Sequence, residues 1–153
     1  MNKSRPRSNQ SNEAGFVSAK DELKVLSGLY YTREHEWAQI ASDGSILVGV
    51  TDFAQKRLHE VVFVDLPQVG STVDKGGLLG TVESVKAVAE VFSPVGGEVI
   101  QVNDILAKSP ELVNQNPYGN GWIARIRPRN LQADLVQLLT AEQYVALVSN
   151  IRH

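Results

Sequence analysis

The chain has 153 residues, of which 42% are hydrophobic, a formal net charge of −2 and no cysteine. This length suits one domain with a buried core, and the mean hydropathy of −0.15 is that of a soluble globular protein. A chain without cysteine has no disulfide framework, thiolate metal site or cysteine nucleophile, and the histidines lack metal-ligand spacing. No basic face is clustered and no apolar run approaches the roughly 20 residues that cross a bilayer, which argues against nucleic-acid and membrane partners.

The N-terminal part of the sequence differs in composition from the rest. Residues 1–27 are rich in Ser, Asn and charged side chains, which predicts a flexible extension ahead of one domain at residues 28–153. Within the extension, Leu23, Val25 and Leu26 predict a short helical or docking segment. The first residues are basic, as in an organelle transit peptide, but they show no apolar stripe and no secretory h-region. We therefore expect a plain extension and a bacterial cytoplasmic location, with the mitochondrial matrix as the alternative.

Most of the remaining sequence predicts strands. Runs rich in β-branched and aromatic residues, bounded by turn residues, indicate strands at Tyr30–Tyr31, Trp37–Ala41, Ile46–Val50, Val61–Val64, Leu78–Glu83, Ala87–Phe92 and Trp122–Arg127. The run Val61–Val64 is apolar throughout, as expected for a buried strand. The sequence thus predicts a mainly β fold.

Helices are predicted between and after these strands. Thr51 or Asp52 can cap a short helix that runs to about Leu58, and Pro110–Asn114 can form a single turn. The sequence T-A-E-Q at 140–143 matches a capping box and opens a final helix, preceded by leucines at helical spacing. The apolar side of that helix is expected to consist of Tyr144, Leu147, Val148 and Ile151. We expect these C-terminal helices to cover the β core.

A short repeat points to internal symmetry. Val64-x-x-Pro67-x-x-Gly70 recurs 27 residues later as Val91-x-x-Pro94-x-x-Gly97. Two such copies with a hairpin between them are what a quasi-two-fold β-sandwich would produce. The alternative is coincidence among common turn residues.

Residues 81–91, T-V-E-S-V-K-A-V-A-E-V, have one lysine at their centre. The predicted strands on either side leave Ser84-Val85-Lys86 as the connection of a hairpin. A hairpin tip presents its side chain to solvent, so Lys86 would project from a rigid support. That arrangement suits a covalent cofactor on a swinging arm, although an ordinary solubilising lysine fits the local pattern as well.

The hairpin sequence Glu83-Ser84-Val85-Lys86-Ala87 resembles the lipoylation motif of glycine cleavage system H proteins. Other segments follow in the order of that family between about Gly28 and Asn150. They are Tyr31-x-x-Glu34-His35-Glu36-Trp37, Val48-Gly49-Val50-Thr51-Asp52-x-Ala54-Gln55, Val61–Pro67, Ser93-Pro94-Val95-x-Gly97-Glu98-Val99, Val102-Asn103, Ser109–Asn114 and Asn116-Pro117-Tyr118-Gly119-x-Gly121-Trp122. Biotinyl domains usually flank the lysine with methionines, and lipoyl domains of 2-oxo-acid dehydrogenases usually place Asp before it. The resemblance therefore implies lipoate, bound as an amide to Lys86.

The resemblance also implies a fold and a role. The fold would be a flattened β-barrel or barrel-sandwich hybrid with short peripheral and C-terminal helices. The protein would be a non-catalytic, monomeric carrier; it would take the aminomethyl group of glycine from a pyridoxal-phosphate glycine decarboxylase to a tetrahydrofolate-dependent aminomethyltransferase. A dihydrolipoamide dehydrogenase would reoxidise the dithiol, and a lipoate ligase or lipoyltransferase would attach the cofactor.

Further site residues are implied by the same resemblance. Glu36 would lie beside the cleft that shelters the loaded arm, where a carboxylate attracts the cationic aminomethyl group. Glu90 occupies a position near the same cleft where the family usually has Asp. Read without the family, Glu34-His35-Glu36-Trp37 favours a structural role at a strand edge over a metal or acid–base site. His59 occupies a position where the family usually has Gly and is expected to be an exposed turn residue, costly if the backbone φ is positive.

Three alternatives remain open at the level of sequence. An H-like lipoyl carrier could serve lipoyl relay or sulfur metabolism instead of glycine cleavage. A structural or binding module that is never modified is the second alternative. An enzyme in its own right is the third, but the sequence shows no nucleophile–base or metal pattern.

Overall fold

The computed structural model describes residues 16–18 and 23–151. Its strands are β1 Phe16–Ser18, β2 Lys24–Leu26, β3 Tyr30–Tyr31, β4 Glu36–Ile40, β5 Ile46–Val50, β6 Val61–Asp65, β7 Thr72–Val73, β8 Leu78–Ser84, β9 Val88–Phe92, β10 Gly97–Val102 and β11 Ala124–Pro128. Its helices are α1 Asp52–Leu58, α2 Leu112–Gln115, α3 Leu131–Leu135 and α4 Ala141–Ile151, with a 3₁₀ turn at Asp104–Ala107. No helix in this part of the chain is long and apolar enough to span a membrane.

Two antiparallel sheets form the body of the molecule. One is six-stranded with the order β3-β4-β5-β11-β10-β7, and the other is three-stranded with the order β6-β8-β9. Their inner faces share one core of buried aliphatic side chains, with Val48 and Ile126 from the large sheet and Val82 and Val91 from the small one. No ladder between described strands joins the two sheets, so the molecule is a sandwich with open edges. The predicted mainly β, barrel-sandwich fold is confirmed.

The repeat in the sequence corresponds to equivalent positions in these sheets. Strands β6 and β9, which carry the first valine of each copy, flank β8 on opposite sides. Strands β7 and β10, which follow the two Pro-x-x-Gly turns, pair with each other through Gly97 and Val73. Val64 and Val91 are both buried in the shared core. This arrangement supports the quasi-two-fold interpretation of the repeat.

A second core lies on the outer face of the large sheet, under the C-terminal helix. Tyr31 and Trp37 from the sheet pack with Tyr144 and Val148 from α4, and the rings of Tyr31 and Tyr144 stack with centroids 4.6 Å apart. Gly49 lies opposite Trp37 on β5, where an added Cβ would come within 2.6 Å of the indole ring. The predicted capping box is present, because Thr140 N–H donates to Gln143 Oε1 and Gln143 N–H donates to Thr140 Oγ1. The expected role of the final helix as a cover on the β core is confirmed.

The end of the predicted N-terminal extension contacts this second core. Leu23 and Val25 are buried, and the backbone N–H and carbonyl of Leu26 both bond to the hydroxyl of Tyr31. Lys24 N–H donates to Asp52 Oδ2 at 2.9 Å. The segment therefore docks as a strand and not as a helix. The domain boundary at residue 27 stays a prediction, and residues 1–15 and 19–22 of the extension lie outside the described residues.

Some predictions about burial are wrong. Val62 and Phe63 are 46% and 52% exposed, so β6 is buried on one face only, through Val61 and Val64. The pairing of β6 with β8 shifts register between Val61 and Phe63. As a result, the side chains of Val62 and Phe63 both point outward. Ile151 is also exposed, because α4 extends past the second core at its C-terminal end.

His59 is an exposed residue at the C-cap of α1, as predicted, and its φ of 63° lies in the left-handed region. Because glycine adopts this backbone at no steric cost, His59→Gly should raise the free energy of unfolding by about 1 kcal/mol. His59→Ala retains the Cβ and should give no such gain. Urea denaturation of the two variants and the parent chain measures the difference. Equal stabilities of the glycine and alanine variants would contradict the account.

Candidate functional site

The hairpin that carries Lys86 is closed by backbone bonds and by one serine hydroxyl. Ser84 N–H donates to Ala87 O at 2.8 Å. Ser84 Oγ accepts from Lys86 N–H at 3.2 Å and from Ala87 N–H at 3.0 Å, and lies 3.2 Å from Ala87 O, to which it can donate. A short polar side chain that bonds to the backbone two and three residues on is a typical device for a tight turn. The side chain of Lys86 is left exposed at the tip.

The hairpin is also attached to the loop that follows α1. Val85 N–H donates to Glu60 O at 3.1 Å. That loop is in turn fixed by Asn114 of α2, whose Oδ1 accepts from Val61 N–H at 2.9 Å and whose Nδ2 donates to His59 O at 2.7 Å. Asn114 therefore fixes the loop after α1, and this loop in turn holds the backbone of the hairpin next to Lys86.

A cleft with a volume of about 310 Å³ opens beside the lysine. Its apolar wall comes from β5, α1 and β9, and its polar groups are acidic and basic side chains from five different elements or loops. The residues that line it are Glu34, His35, Glu36, Val50, Ala54, Arg57, Leu58, Lys86, Ala87, Val88, Ala89, Glu90 and Val91. A cavity of this size is at the small end of the range for ligand-binding clefts.

Glu36 is a buried carboxylate at the wall of this cleft. Its Oε1 accepts a hydrogen bond from the hydroxyl of Thr32, and its Oε2 accepts from Phe92 N–H at 2.9 Å. Burial raises the pKa of Glu36 to about 7, because the hydrogen bonds from Thr32 and Phe92 offset only part of the lost hydration. The group therefore joins the β3–β4 loop to the end of β9 and is partly protonated at neutral pH.

The structure brings together four of the residues predicted from sequence. Lys86, Ala87, Glu36 and Glu90 all line the cleft. The other three residues of the predicted lipoylation motif do not line it. Glu83 and Val85 are exposed outside it, and Ser84 is buried under the turn.

Three ionisable residues that line the cleft, Glu34, His35 and Arg57, were not predicted to take part. Arg57 of α1 lines the cleft, and nothing in the local sequence distinguishes it from an ordinary helical surface residue. His35 also lines it, with a φ of 78° and a ring nitrogen 2.8 Å from the hydroxyl of Tyr144. In the segment Glu34–Trp37, for which a structural role was predicted, Trp37 has such a role, because its Nε1–H donates to Pro117 O at 3.0 Å. Among the described residues no group of His, Cys, Asp and Glu could hold a metal ion.

The fold and the site together define a class of protein. Two facing antiparallel sheets with a lysine at the tip of a hairpin correspond to the lipoyl-domain-like, barrel-sandwich class.

The comparisons with known proteins narrow this class to one family. A family model described as "Glycine cleavage H-protein" matches residues 29–151. A relative from Pyrococcus abyssi, named "Probable glycine cleavage system H protein", is 55% identical over 130 residues, which are 85% of this chain and 96% of the relative. A glycine cleavage system H protein of Thermus thermophilus is 52% identical over 122 residues, or 80% of this chain and 94% of the relative. The crystal structure of a glycine cleavage system H protein from Mycobacterium marinum superposes with a TM-score of 0.72 at 37% identity, covering 78% of this chain and 95% of that one.

The chain belongs to the glycine cleavage H-protein family. Its members are carrier subunits that work with the other components of the glycine cleavage system.

The hydroxyl of Ser84 gives a test of how the hairpin is held. Ser84→Ala leaves the N–H groups of Lys86 and Ala87 without their acceptor, which should cost about 1–2 kcal/mol and loosen the tip. Amide hydrogen exchange of residues 84–88 should quicken, while Val85→Ala at the same tip keeps the hydroxyl and should exchange as the parent chain does. Unchanged exchange in Ser84→Ala would show that the backbone bonds suffice.

The pKa of Glu36 predicts a pH dependence of stability. The pKa of Glu36 in the folded protein, about 7, exceeds the ordinary value of 4.5. Between these two pH values, Glu36 therefore keeps its proton in the folded state and releases it in the unfolded state. The contribution of Glu36 to stability is therefore complete below about pH 4.5 and is lost as pH rises toward about 7. Glu36→Gln keeps an acceptor for Phe92 and adds a donor for Thr32, and should remove this loss.

Urea unfolding of the parent chain and Glu36→Gln at about pH 5 and about pH 8 measures the effect, with an expected relative gain for the variant of roughly 1–3 kcal/mol at the higher pH. Glu142→Gln, on the exposed first turn of α4, is the control and should follow the parent chain. Parallel stabilities of all three proteins would mean that Glu36 titrates normally.

Proposed function

We propose that this chain carries lipoate as an amide on Lys86 Nζ and shuttles the aminomethyl group of glycine from glycine decarboxylase to aminomethyltransferase. The observation that carries the proposal is that Lys86 lies at the tip of a fixed hairpin, at the edge of a cleft that also contains Glu36 and Glu90. When bound, the lipoyl group supplies a dithiol that can accept and release the one-carbon unit. The protein itself contributes attachment, shelter and docking, and no catalytic group.

The residues of the cleft suit such an arm. Val50, Leu58 and Val91, which are largely buried, form an apolar wall of the cleft that suits a hydrocarbon chain. Glu36 and Glu90 suit a cation, because a carboxylate and an ammonium group attract most strongly where water is excluded. A cation near Glu36 would also lower its pKa from about 7, so that binding and ionisation favour each other.

The remaining partners follow from the same function. A lipoate ligase or lipoyltransferase attaches the cofactor, and dihydrolipoamide dehydrogenase reoxidises the dithiol. The motif Glu83-Ser84-Val85-Lys86-Ala87 is the segment that the attaching enzyme recognises. A cytoplasmic location is supported by the prokaryotic origin of the relatives from Pyrococcus and Thermus.

Intact mass of the protein isolated from its native source tests the attachment. We expect a mass increase of one lipoyl group, located on Lys86 by peptide mapping and abolished in Lys86→Arg, which keeps the positive charge. Lys108→Arg, an exposed lysine elsewhere in the chain, should be modified as the parent is. Unmodified protein from cells that lipoylate their other carriers would refute the proposal.

Incubation of the lipoylated protein with glycine decarboxylase and glycine labelled at its α-carbon tests the shuttle itself, because the carboxyl carbon leaves as carbon dioxide. Label on the reduced arm is expected in the parent chain, and Glu36→Gln and Glu90→Gln should lose bound label to hydrolysis faster. Lipoylated protein that glycine decarboxylase does not load would instead favour a carrier for lipoyl relay or sulfur metabolism.

A further inference from the structure

His35 is held rigidly at the cleft. Among the described non-glycine residues only His35 and His59 have a positive φ, and that of His35 is 78°. Its N–H donates to Thr32 O at 3.3 Å, and its carbonyl accepts from Thr51 N–H at 3.0 Å. The ring lies against Phe53, with centroids 4.6 Å apart. A costly backbone conformation that is fixed from both sides is a common feature of binding sites.

The hydrogen bonds behind the ring determine which nitrogen of His35 carries the proton. His35 Nδ1, Tyr144 Oη and Thr51 Oγ1 form a chain with separations of 2.8 and 2.7 Å. Thr51 Oγ1 already accepts from Ala54 N–H at 3.2 Å. Thr51 and Tyr144 are fully buried, and in the described part of the chain the only acceptor within reach of the Thr51 hydroxyl hydrogen is Tyr144 Oη.

This chain of bonds has one arrangement in which the hydrogens of both buried hydroxyls, those of Thr51 and Tyr144, find an acceptor. The Thr51 hydroxyl donates to Tyr144 Oη, the Tyr144 hydroxyl donates to His35 Nδ1, and the imidazole hydrogen is on Nε2. The reverse arrangement would leave the buried Thr51 hydroxyl hydrogen without a partner, which is costly. No described residue accepts a hydrogen bond from Nε2, which is on the opposite side of the ring from Nδ1.

The surroundings keep this ring neutral. Burial lowers the pKa of His35 to about 4, and the positive charge of Arg57 acts in the same direction. The other charged groups that line the cleft are Lys86, Glu34, Glu36 and Glu90. At neutral pH, His35, which lines the cleft, therefore carries an uncharged Nε2–H donor.

A neutral N–H donor selects for one part of a lipoyl arm. An ammonium group has hydrogens but no acceptor, so it cannot bond to Nε2–H. A sulfur accepts hydrogen bonds, weakly as a thioether or thiol and strongly as a thiolate. We infer that His35 binds the sulfur end of the reduced arm through Nε2–H, while the carboxylates of the same cleft bind the cation. The inference rests on the proposed function, since it requires an arm on Lys86.

The first test is nuclear magnetic resonance of the ¹⁵N-labelled full chain in three forms: unmodified, lipoylated and oxidised, and lipoylated and reduced. In the unmodified form we expect His35 as the Nε2–H tautomer at neutral pH, assigned with the help of His59 and His153 variants. On reduction of the arm, the Nε2–H signal should shift downfield. Tyr144→Phe should mix the two tautomers, and Tyr30→Phe, whose hydroxyl makes no such bond, should not.

The second test is the pH dependence of alkylation of the reduced arm by iodoacetamide. A hydrogen bond to the thiolate lowers the pKa of a thiol, so the midpoint should rise by roughly half a unit or more in His35→Asn. Asparagine tolerates the left-handed backbone, which keeps the variant folded. Tyr144→Phe should shift the midpoint in the same direction, and Tyr30→Phe should leave it unchanged.

The outcomes separate this inference from the proposed function. If Lys86 is never lipoylated, the carrier proposal fails and the inference fails with it. If Lys86 is lipoylated but Nε2–H does not respond to reduction and the alkylation midpoint is unchanged in both variants, only the inference is refuted. If the Nε2–H signal shifts on lipoylation but does not change on reduction, the contact is with the amide carbonyl of the arm, and the inference is refuted. Finding the Nδ1–H tautomer in the unmodified chain would also refute the inference.

Discussion

The position of the hairpin that carries Lys86 depends on the side-chain amide of Asn114. This amide group bonds to the loop after α1 at two points, His59 O and Val61 N–H. Between these two residues, Glu60 O accepts a hydrogen bond from Val85 N–H at the hairpin tip. Each of these contacts ends on a backbone atom, so none is loosened by side-chain rotation of the loop or the hairpin. The hairpin tip and the α1 wall of the cleft are consequently linked through backbone contacts, while the side chain of Lys86 is exposed.

The cleft combines two ionisable groups on which burial acts in opposite directions. Burial raises the pKa of the carboxyl of Glu36 toward neutrality and lowers the pKa of the imidazole of His35. Both effects favour the uncharged form, because a low-dielectric site penalises either charge. At neutral pH, His35 is therefore uncharged and Glu36 is only partly ionised, and a charged ligand would change the ionisation of Glu36 much more readily than that of His35.

Local patterns were sufficient for most of the fold. The hairpin strands, the Thr51 cap and the capping box at Thr140 each depend on neighbouring residues, and the structure has them where predicted. The exposure of Val62 and Phe63 could not be predicted, because a continuous apolar run does not reveal a register shift with a distant strand. The family resemblance was needed to place Glu36 and Glu90 at one cleft.

The arrangement of the site also depends on contacts between distant parts of the chain, which local sequence patterns do not show. Arg57, His35 and Lys86 come from a helix, a loop and a hairpin that are far apart in sequence and meet only in the folded chain. The tautomer of His35 depends on a hydroxyl 109 residues away. No periodicity or spacing in the sequence carries that information.

The C-terminal helix packs on the opposite side of the large sheet from the main core, yet Tyr144 extends from it to the ring of His35. Residues at the end of the chain can therefore influence the chemistry of the cleft without contacting anything bound in it. A truncated chain that ends before α4, or a fusion partner that displaces the helix, would release the imidazole even if the hairpin remained intact. Engineered or divergent chains could in this way change the hydrogen bonding of His35 by altering a helix that does not line the cleft.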